Sequence, residues 1–282
     1  MFANGFIYSQ TITSQTDGDW HQSATWDLGR TPQNGDSVVI RSGDIVDIYL
    51  ASNNDTVSSL NVLGTLQWAE NANINISTGG LTVDGGTLSR NTNSATIIFI
   101  EDNASNYIHN DGELFTLSSV YLNGKNSKLD ITGDSLITLN NNFFFIANES
   151  IKDTVSFSLS GTININGQIR FNDDSCQFIV KPNCALSVGS ILVGGSGDYN
   201  SIFIESGGSI SVTGSIDFNF HDFTISNYGT FTQTGNFVTN QADDVILCYN
   251  FENANWNFAG SSSSDEDIEH AVAEAAKLGS IR

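Results

Sequence analysis

"GTLQWAENANINISTGGLTVDGGTLSR", Gly64 to Arg90, begins one phrase, Gly-Thr-Leu, and repeats it 22 residues later at Gly86. The phrase belongs to a series in which a glycine or other small residue is followed at once by an apolar strand start. It recurs as GELFT at Gly112, GDSLI at Gly133, GTINI at Gly161, CALSV at Cys184, GSISV at Gly208 and GTFTQ at Gly229. From Gly64 onward the successive spacings are 22, 26, 21, 28, 23, 24 and 21 residues. Between these marks lie further segments, LTVDGG, VYLNG, ILVGG and SIFIESGG, whose apolar and polar residues alternate with the period of a half-buried strand. A strand rises about 3.3 Å per residue, so three short strands with tight corners use roughly 20–25 residues per circuit. The beat therefore predicts an all-β fold, a right-handed parallel β-helix of about eight coils over residues 11–260. Glycine suits its corners, which need positive φ or close backbone approach, and asparagine does similar work in NSKLD and LNNNFFF. A pair of β-sandwiches, with strands every 8–12 residues, explains the strands but not the longer beat.

A solenoid has open ends, and an exposed strand edge invites pairing with another chain. Before the first regular coil stands "GDWHQSATWDLGRTPQNGDSVVI", Gly18 to Ile40. Trp20, Trp26 and Pro32 are expected to form an aromatic cap over the column. The rival reading makes the two tryptophans a sugar-stacking platform. Over residues 18–68 the order tryptophan, G-x-x-P-x-x-G-D, V-x-I and SLNVLGTL resembles a G8-type opening. The Asn-, Gly- and Thr-rich coils that follow resemble secreted surface proteins of Bacteroidetes, many of them exported by the type IX pathway. The resemblance implies an extracellular β-helix and carries over no catalytic residue.

Acidic residues number 31 against 10 basic ones, a net charge of −21 that repels nucleic acid and anionic membrane. No apolar run approaches about 20 residues, so no transmembrane segment is expected. Residues 1–10, MFANGFIYSQ, read as the remnant of a signal peptide or leader, or else as an ordinary first strand. Residues 261–282 change character to a Ser-rich acidic linker and a short helix. Ser264 and Asp267 there form a capping-box variant, and Ile268, Ala271, Val272 and Ala275 follow helical spacing. Three cysteines, Cys176, Cys184 and Cys248, make neither a disulfide scaffold nor a zinc site. Cys176 and Cys184 fit either a disulfide between neighbouring strands or two small buried thiols.

Chemistry has few candidates. Glycoside hydrolysis needs two carboxylates across the scissile bond, for which Asp173 and Asp174 in FNDDSCQF come first and Asp243 and Asp244 in QADDVIL second. The first pair resembles the Asn/Asp-Asp element of pectin-type hydrolases, but the companion G-H-G and R-I-K elements are missing. Adjacent strand residues also face opposite ways, which places such pairs at corners. A lyase needs a base and a cation cluster, and only Arg170 lies near an acidic pair. His21, His109, His221 and His270 are scattered singly, and no nucleophile elbow, P-loop or dinucleotide motif occurs, so no cofactor is implied. GGSGDYNSIFI at Gly194 resembles a calcium β-roll repeat one residue out of register, and acidic corners offer at most weak Ca²⁺ binding. Thr-x-Thr at Thr11 precedes the coils and does not recur in register, which argues against an ice-binding ladder. The expectation is a non-catalytic secreted or cell-surface module, structural or adhesive, within a larger protein or assembly. It would bind surface glycans or other extracellular polymers through its Asn, Thr and Ser strands. The alternative is a carbohydrate-active enzyme, a hydrolase or lyase, on a β-helix.

Overall fold

The computed structural model describes residues 9–49, 54–90, 94–145, 154–157, 161–172, 175–194, 199–218, 222–238, 246–251 and 254–258. The expected leader, apart from residues 9 and 10, and the expected linker and helix of 261–282 lie outside them.

The chain winds as an all-β parallel solenoid of about nine turns. Each turn lays one strand on each of three faces. The first face runs from Thr11–Thr13 through Ser37–Ile40, Ser59–Val62 and Leu81–Asp84 to Ile246–Asn250. The second runs from Gly18–Asp19 through Ile45–Ile48, Thr65–Trp68 and Thr87–Arg90 to Asn255–Phe258. The third runs from Asn54–Val57 through Ala72–Ile76 and Ala95–Phe99 to Phe237–Val238. In the later turns the second and third faces merge at a bend, as in Thr162–Phe171 and Ala185–Val193. Strands pair in parallel with those one turn away, so residues 19–28 apart in sequence lie side by side.

The register locates the glycine marks. Thr65 pairs with Thr87, Thr162 with Ala185, Ala185 with Ser209 and Ser209 with Thr230, so Gly64, Gly86, Gly161, Cys184, Gly208 and Gly229 occupy equivalent corners. Gly112 and Gly133 do not. Thr87 pairs with Leu114 and Phe115 with Ile137, which sets Glu113 and Ser135 at that level and the two glycines one and two residues before it. The expected count of eight was slightly low because corners without a glycine or cysteine left no mark in the series. Asp44 stands at the level of Gly64, and Ala254 at that of Gly229.

At these corners the constraint is space. A Cβ on Gly64 would lie 2.3 Å from the Arg41 carbonyl oxygen, and one on Gly86 2.4 Å from that of Val62. The turn below fills the room a side chain would need. Positive φ is used elsewhere. Asn103 and Asn126 (φ 57° and 53°) hold equivalent left-handed positions one turn apart, and the Asn126 amide donates to Asn103 Oδ1 at 3.4 Å. A buried asparagine braces the corner between the first and second faces in two turns. The backbone N–H of Gly112 donates to Asn110 Oδ1 at 3.2 Å, and that of Gly229 to Asn227 Oδ1 at 3.0 Å. Such partners satisfy backbone groups that leave the ladder at a corner.

Burial alternates along nearly every strand, sending Leu66, Ile74, Leu88, Ile97, Phe115, Ile163, Val188 and Ile210 into one continuous core. Each fully buried aliphatic or aromatic side chain contributes about 1.5–3 kcal/mol. Cys176 and Cys184 are buried thiols in this core, so the bridged alternative is not formed. They bracket the first-face strand Gln177–Val180 of one turn, whereas neighbouring strands are joined by residues a whole turn apart, as Gln177 is to Ser201.

At the N-terminal end Trp20 follows the rung that pairs Gly18 with Val46 and Asp19 with Asp47, and its N–H donates to the Asp47 carbonyl at 2.8 Å. Trp26 meets it edge to face, with centroids 5.2 Å apart, and donates from its indole nitrogen to the Trp20 carbonyl at 2.9 Å. Both indoles are fully buried, which removes the exposed sugar platform. Pro32 is only half-buried. Beside them Arg30 makes a two-pronged ion pair with buried Asp36, at 2.6 and 3.0 Å. Burial alone would raise the Asp36 pKa. The Arg30 hydrogen bond, the Gln33 N–H and the Arg30 charge outweigh it and hold the carboxyl below its ordinary value.

Two outcomes are expected. Trp26→Ala should cost about 3–5 kcal/mol in urea unfolding, the range for a fully buried tryptophan; a loss within error would show that this end is not part of the cooperative core. Since the folded pKa of Asp36 lies below its unfolded value, its stabilisation is present above about pH 4 and fades as pH falls through the folded value. Asp36→Asn should therefore melt below the parent at pH 7, with the gap closing on acidification below about pH 4.

Candidate functional site

The described residues hold no convergent catalytic constellation. Among them no group of three or more His, Cys, Asp or Glu is placed to hold a metal ion. Asp173 and Asp174, Asp243 and Asp244, His221 and His270, and the 195–198 part of the calcium-like stretch lie outside the described residues. The two described histidines are not isolated. His21 Nε2 lies 2.8 Å from Asp55 with Asp19 3.6 Å from Nδ1, and His109 Nε2 lies 3.0 Å from Asp111 with its Nδ1 3.0 Å from the Thr132 hydroxyl. The coil register, not local sequence, brings Asp55 to His21, 34 residues away. Among the described residues no nucleophilic hydroxyl or thiol completes a triad with His21, whose Nδ1 is buried without a hydrogen-bond partner. Cys248, half-buried against the core, is no nucleophile either, since burial pushes its thiol up to about 12.

Arg170 projects outward on the third face. Its guanidinium lies over the Phe144 ring, 5.6 Å from the centroid, and Phe144 stacks on Tyr121 at 4.3 Å. This column is what in-register stacking makes of three residues spread over 121–170. Among the described residues the Arg170 cation is set over an aromatic ring, an arrangement that stabilises it electrostatically.

Two surface features remain. The first is aromatic and was not visible as a pattern in sequence. On the first face and its corner, Phe203, Tyr228, Tyr249 and Phe251 gather across three turns. Tyr228 and Phe251 stack at 3.8 Å with planes 5° apart, Phe203 lies 5.3 Å from Tyr228, and Tyr249 lies 6.3 Å from Phe251. Phe251 and neighbouring Leu247 are exposed by 37% and 40%. Ser201, Thr224 and Ser226, on outward positions of the same strands, supply hydroxyls within this patch. The pairing of Phe203 with Ser226 and of Ser226 with Tyr249 brings together residues 46 positions apart.

The second feature is the outer surface of the second face, where two columns of short side chains run along the solenoid. In the turns of Ala185, Ser209 and Thr230 they border a shallow depression of 320 Å³, with Leu186 and Ile210 at its floor. The columns alternate with the buried residues of each strand, as the pleat requires.

No helix among the described residues is long and apolar enough to cross a membrane. No curated protein and no solved structure gives a significant match. Residues 25–135 match the G8 domain, a match that takes in Trp26, begins after Trp20 and extends well beyond the opening at residues 18–68 into the fifth turn.

Proposed function

We propose that the chain is a non-catalytic, extracellular β-solenoid module that binds carbohydrate, acting as a structural or adhesive part of a larger protein or assembly. G8 domains are typical of extracellular proteins, and the parallel solenoid fits that setting. The observation that carries the ligand class is the partly exposed aromatic patch of Phe203, Tyr228, Tyr249 and Phe251, set among serine and threonine hydroxyls. A pyranose ring is amphipathic in a matching way, with C–H groups that pack on aromatic carbon and hydroxyls that need nearby donors and acceptors. Exposed apolar patches with polar rims mark interaction sites, and a chain carrying −21 favours neutral polymers over polyanions. The expected aromatic cap, formed by Trp20 and Trp26, belongs to the same proposal as a cover for the first rung.

Retention of the protein on a panel of neutral and acidic polysaccharides, beside a depolymerisation assay on the same panel, tests this reading. Retention on neutral polymers without turnover is expected, and Tyr228→Ala with Phe251→Ala should weaken it roughly tenfold or more, as loss of an aromatic anchor does. Turnover abolished by Asp173→Asn or Asp174→Asn, with the fold intact, would establish the hydrolase instead. Retention unchanged in the aromatic variants would remove the patch from the site.

A further inference from the structure

Four Asn-x-Ser/Thr triplets occur in the chain, at Asn54, Asn75, Asn103 and Asn148, and the fold presents them differently. Asn75 stands in the strand Ala72–Ile76, laddered on both sides. Its amide donates to Thr56 Oγ1 at 3.3 Å, and the Ser77 hydroxyl of the same triplet donates to the Val57 carbonyl at 3.3 Å. The Asn54 triplet lies in the adjoining strand Asn54–Val57, and its Thr56 hydroxyl is the one that accepts from Asn75. Asn148 is outside the described residues. Asn103 stands instead at a corner, in the stretch Glu101-Asp102-Asn103-Ala104-Ser105 between the third-face strand Ala95–Phe99 and the first-face strand Ser105–Asp111. Its backbone is left-handed (φ 57°), and the register sets Asn126, Ser175 and Tyr199 (φ 53°, 58° and 61°) at the same place in later turns. Asn103 and Asn126 are exposed in this position, and Tyr199 is 72% exposed.

We infer that Asn103 is an acceptor site for N-linked glycosylation, an assignment that rests on the extracellular setting proposed above. The co-substrate is an oligosaccharide carried on a polyprenyl diphosphate, and the catalyst is an oligosaccharyltransferase. Asn103 Nδ2 attacks the anomeric carbon and forms the N–C1 bond. The bond from C1 to the diphosphate oxygen breaks, its electron pair leaves with the polyprenyl diphosphate, and one of the two Nδ2 protons passes to a base of the transferase. The groups this transfer uses are all presented. The hydrogen bond to the Asn103 side chain falls on Oδ1, from the Asn126 amide at 3.4 Å, and leaves Nδ2 open among the described residues. The Ser105 hydroxyl, the group of the triplet that a transferase grips by hydrogen bonding, is exposed and makes no side-chain hydrogen bond among the described residues. Glu101 is exposed as well. Its carbonyl accepts from the Ser127 hydroxyl at 2.7 Å, while its carboxylate has no ion pair or hydrogen bond among the described residues and offers a charge to a cationic acceptor groove. The corner itself is held in shape. Asn103 N–H donates to the Lys125 carbonyl at 2.7 Å, Lys125 N–H to Asp102 Oδ1 at 2.8 Å and Lys128 N–H to the Ala104 carbonyl at 2.8 Å. A glycan on Asn103 stands four turns, about 19 Å along the axis, from the turn of Phe203, which leaves the aromatic patch clear.

The folded full chain is incubated with a single-subunit bacterial oligosaccharyltransferase and a polyprenyl-diphosphate-linked oligosaccharide of known mass. Intact mass and glycopeptide sequencing read the product, and circular dichroism establishes that each variant keeps the fold. One added glycan is expected, on Asn103. Asn103→Gln and Ser105→Ala should abolish it, Ser105→Thr should retain it because the hydroxyl is kept, and Asn75→Gln should leave it unchanged. Ser105→Ala decides the matter even where Asn103→Gln disturbs the left-handed corner, since it leaves Asn103 in place. The inference is overturned by no added mass on the parent, by a glycan on Asn54, Asn75 or Asn148 with Asn103 bare, or by equal modification of Ser105→Ala. Modification of Asn103 only after denaturation overturns it too, because the folded corner would then not present the acceptor. None of these readouts involves polysaccharide retention or touches Tyr228 or Phe251, so the carbohydrate reading stands or falls separately.

Discussion

Turn-to-turn backbone hydrogen bonding governs the rest of this molecule. Each strand's N–H and C=O groups are spent on the turns before and after it, which fixes both the separation of successive turns and the residue-to-residue register. Side chains follow from that geometry, because a residue facing inward in one turn has an inward neighbour in the next. The close corners exist for the same reason. Where Gly64 and Gly86 let the chain settle against a carbonyl below, a β-carbon would hold the turns apart. Insertions can be absorbed only where they do not move the register. Gly112 and Gly133 show this, since each stands before its corner while the paired strands remain aligned.

Stacking also multiplies chemistry. A single threonine on a strand is a solvated hydroxyl, whereas the same type repeated over several turns becomes a column with a fixed spacing. Among the described residues such columns differ in character. Tyr121, Phe144 and Arg170 form a ring-and-cation stack on the third face, Tyr228 and Phe251 an aromatic stack at a corner, and Thr116, Thr138, Asn164, Ser187, Ser211 and Thr232 a line of short polar side chains on the second face. Such surfaces suit extended or periodic partners better than a small substrate, which needs a concave site with several groups converging on one point. The solenoid itself assigns none of these roles, since one fold serves many activities.

The N-terminal end carries contacts that are local in sequence. The buried Trp20–Trp26 pair and the Arg30–Asp36 ion pair lie where the first rungs have no complete turn before them. Both are local devices, dense in sequence, and for that reason they are also where a family signature was readable.

Much of the fold was legible in advance because a parallel solenoid writes its period into the chain. Alternation of apolar and polar residues is a local property, and so is the crowding that demands glycine at Gly64, Gly86, Gly208 and Gly229. Those two signals determined the class, the three-strand turn and the inward residues. Where another residue fills the same corner, as Asp44 and Ala254 do, the local signal vanishes and the count falls short. The surface was far less legible. His21 meets Asp55, Phe203 joins Tyr228 and Phe251, and Ser187 aligns with Ser211 and Thr232 through registers whose sequence spacing varies from turn to turn. Corners of unequal length hide those alignments from any fixed period. Sequence alone determined which residues face outward, and only the tertiary stacking decided which of them stand side by side, because the hydrogen bonds that set the register join residues a full turn apart.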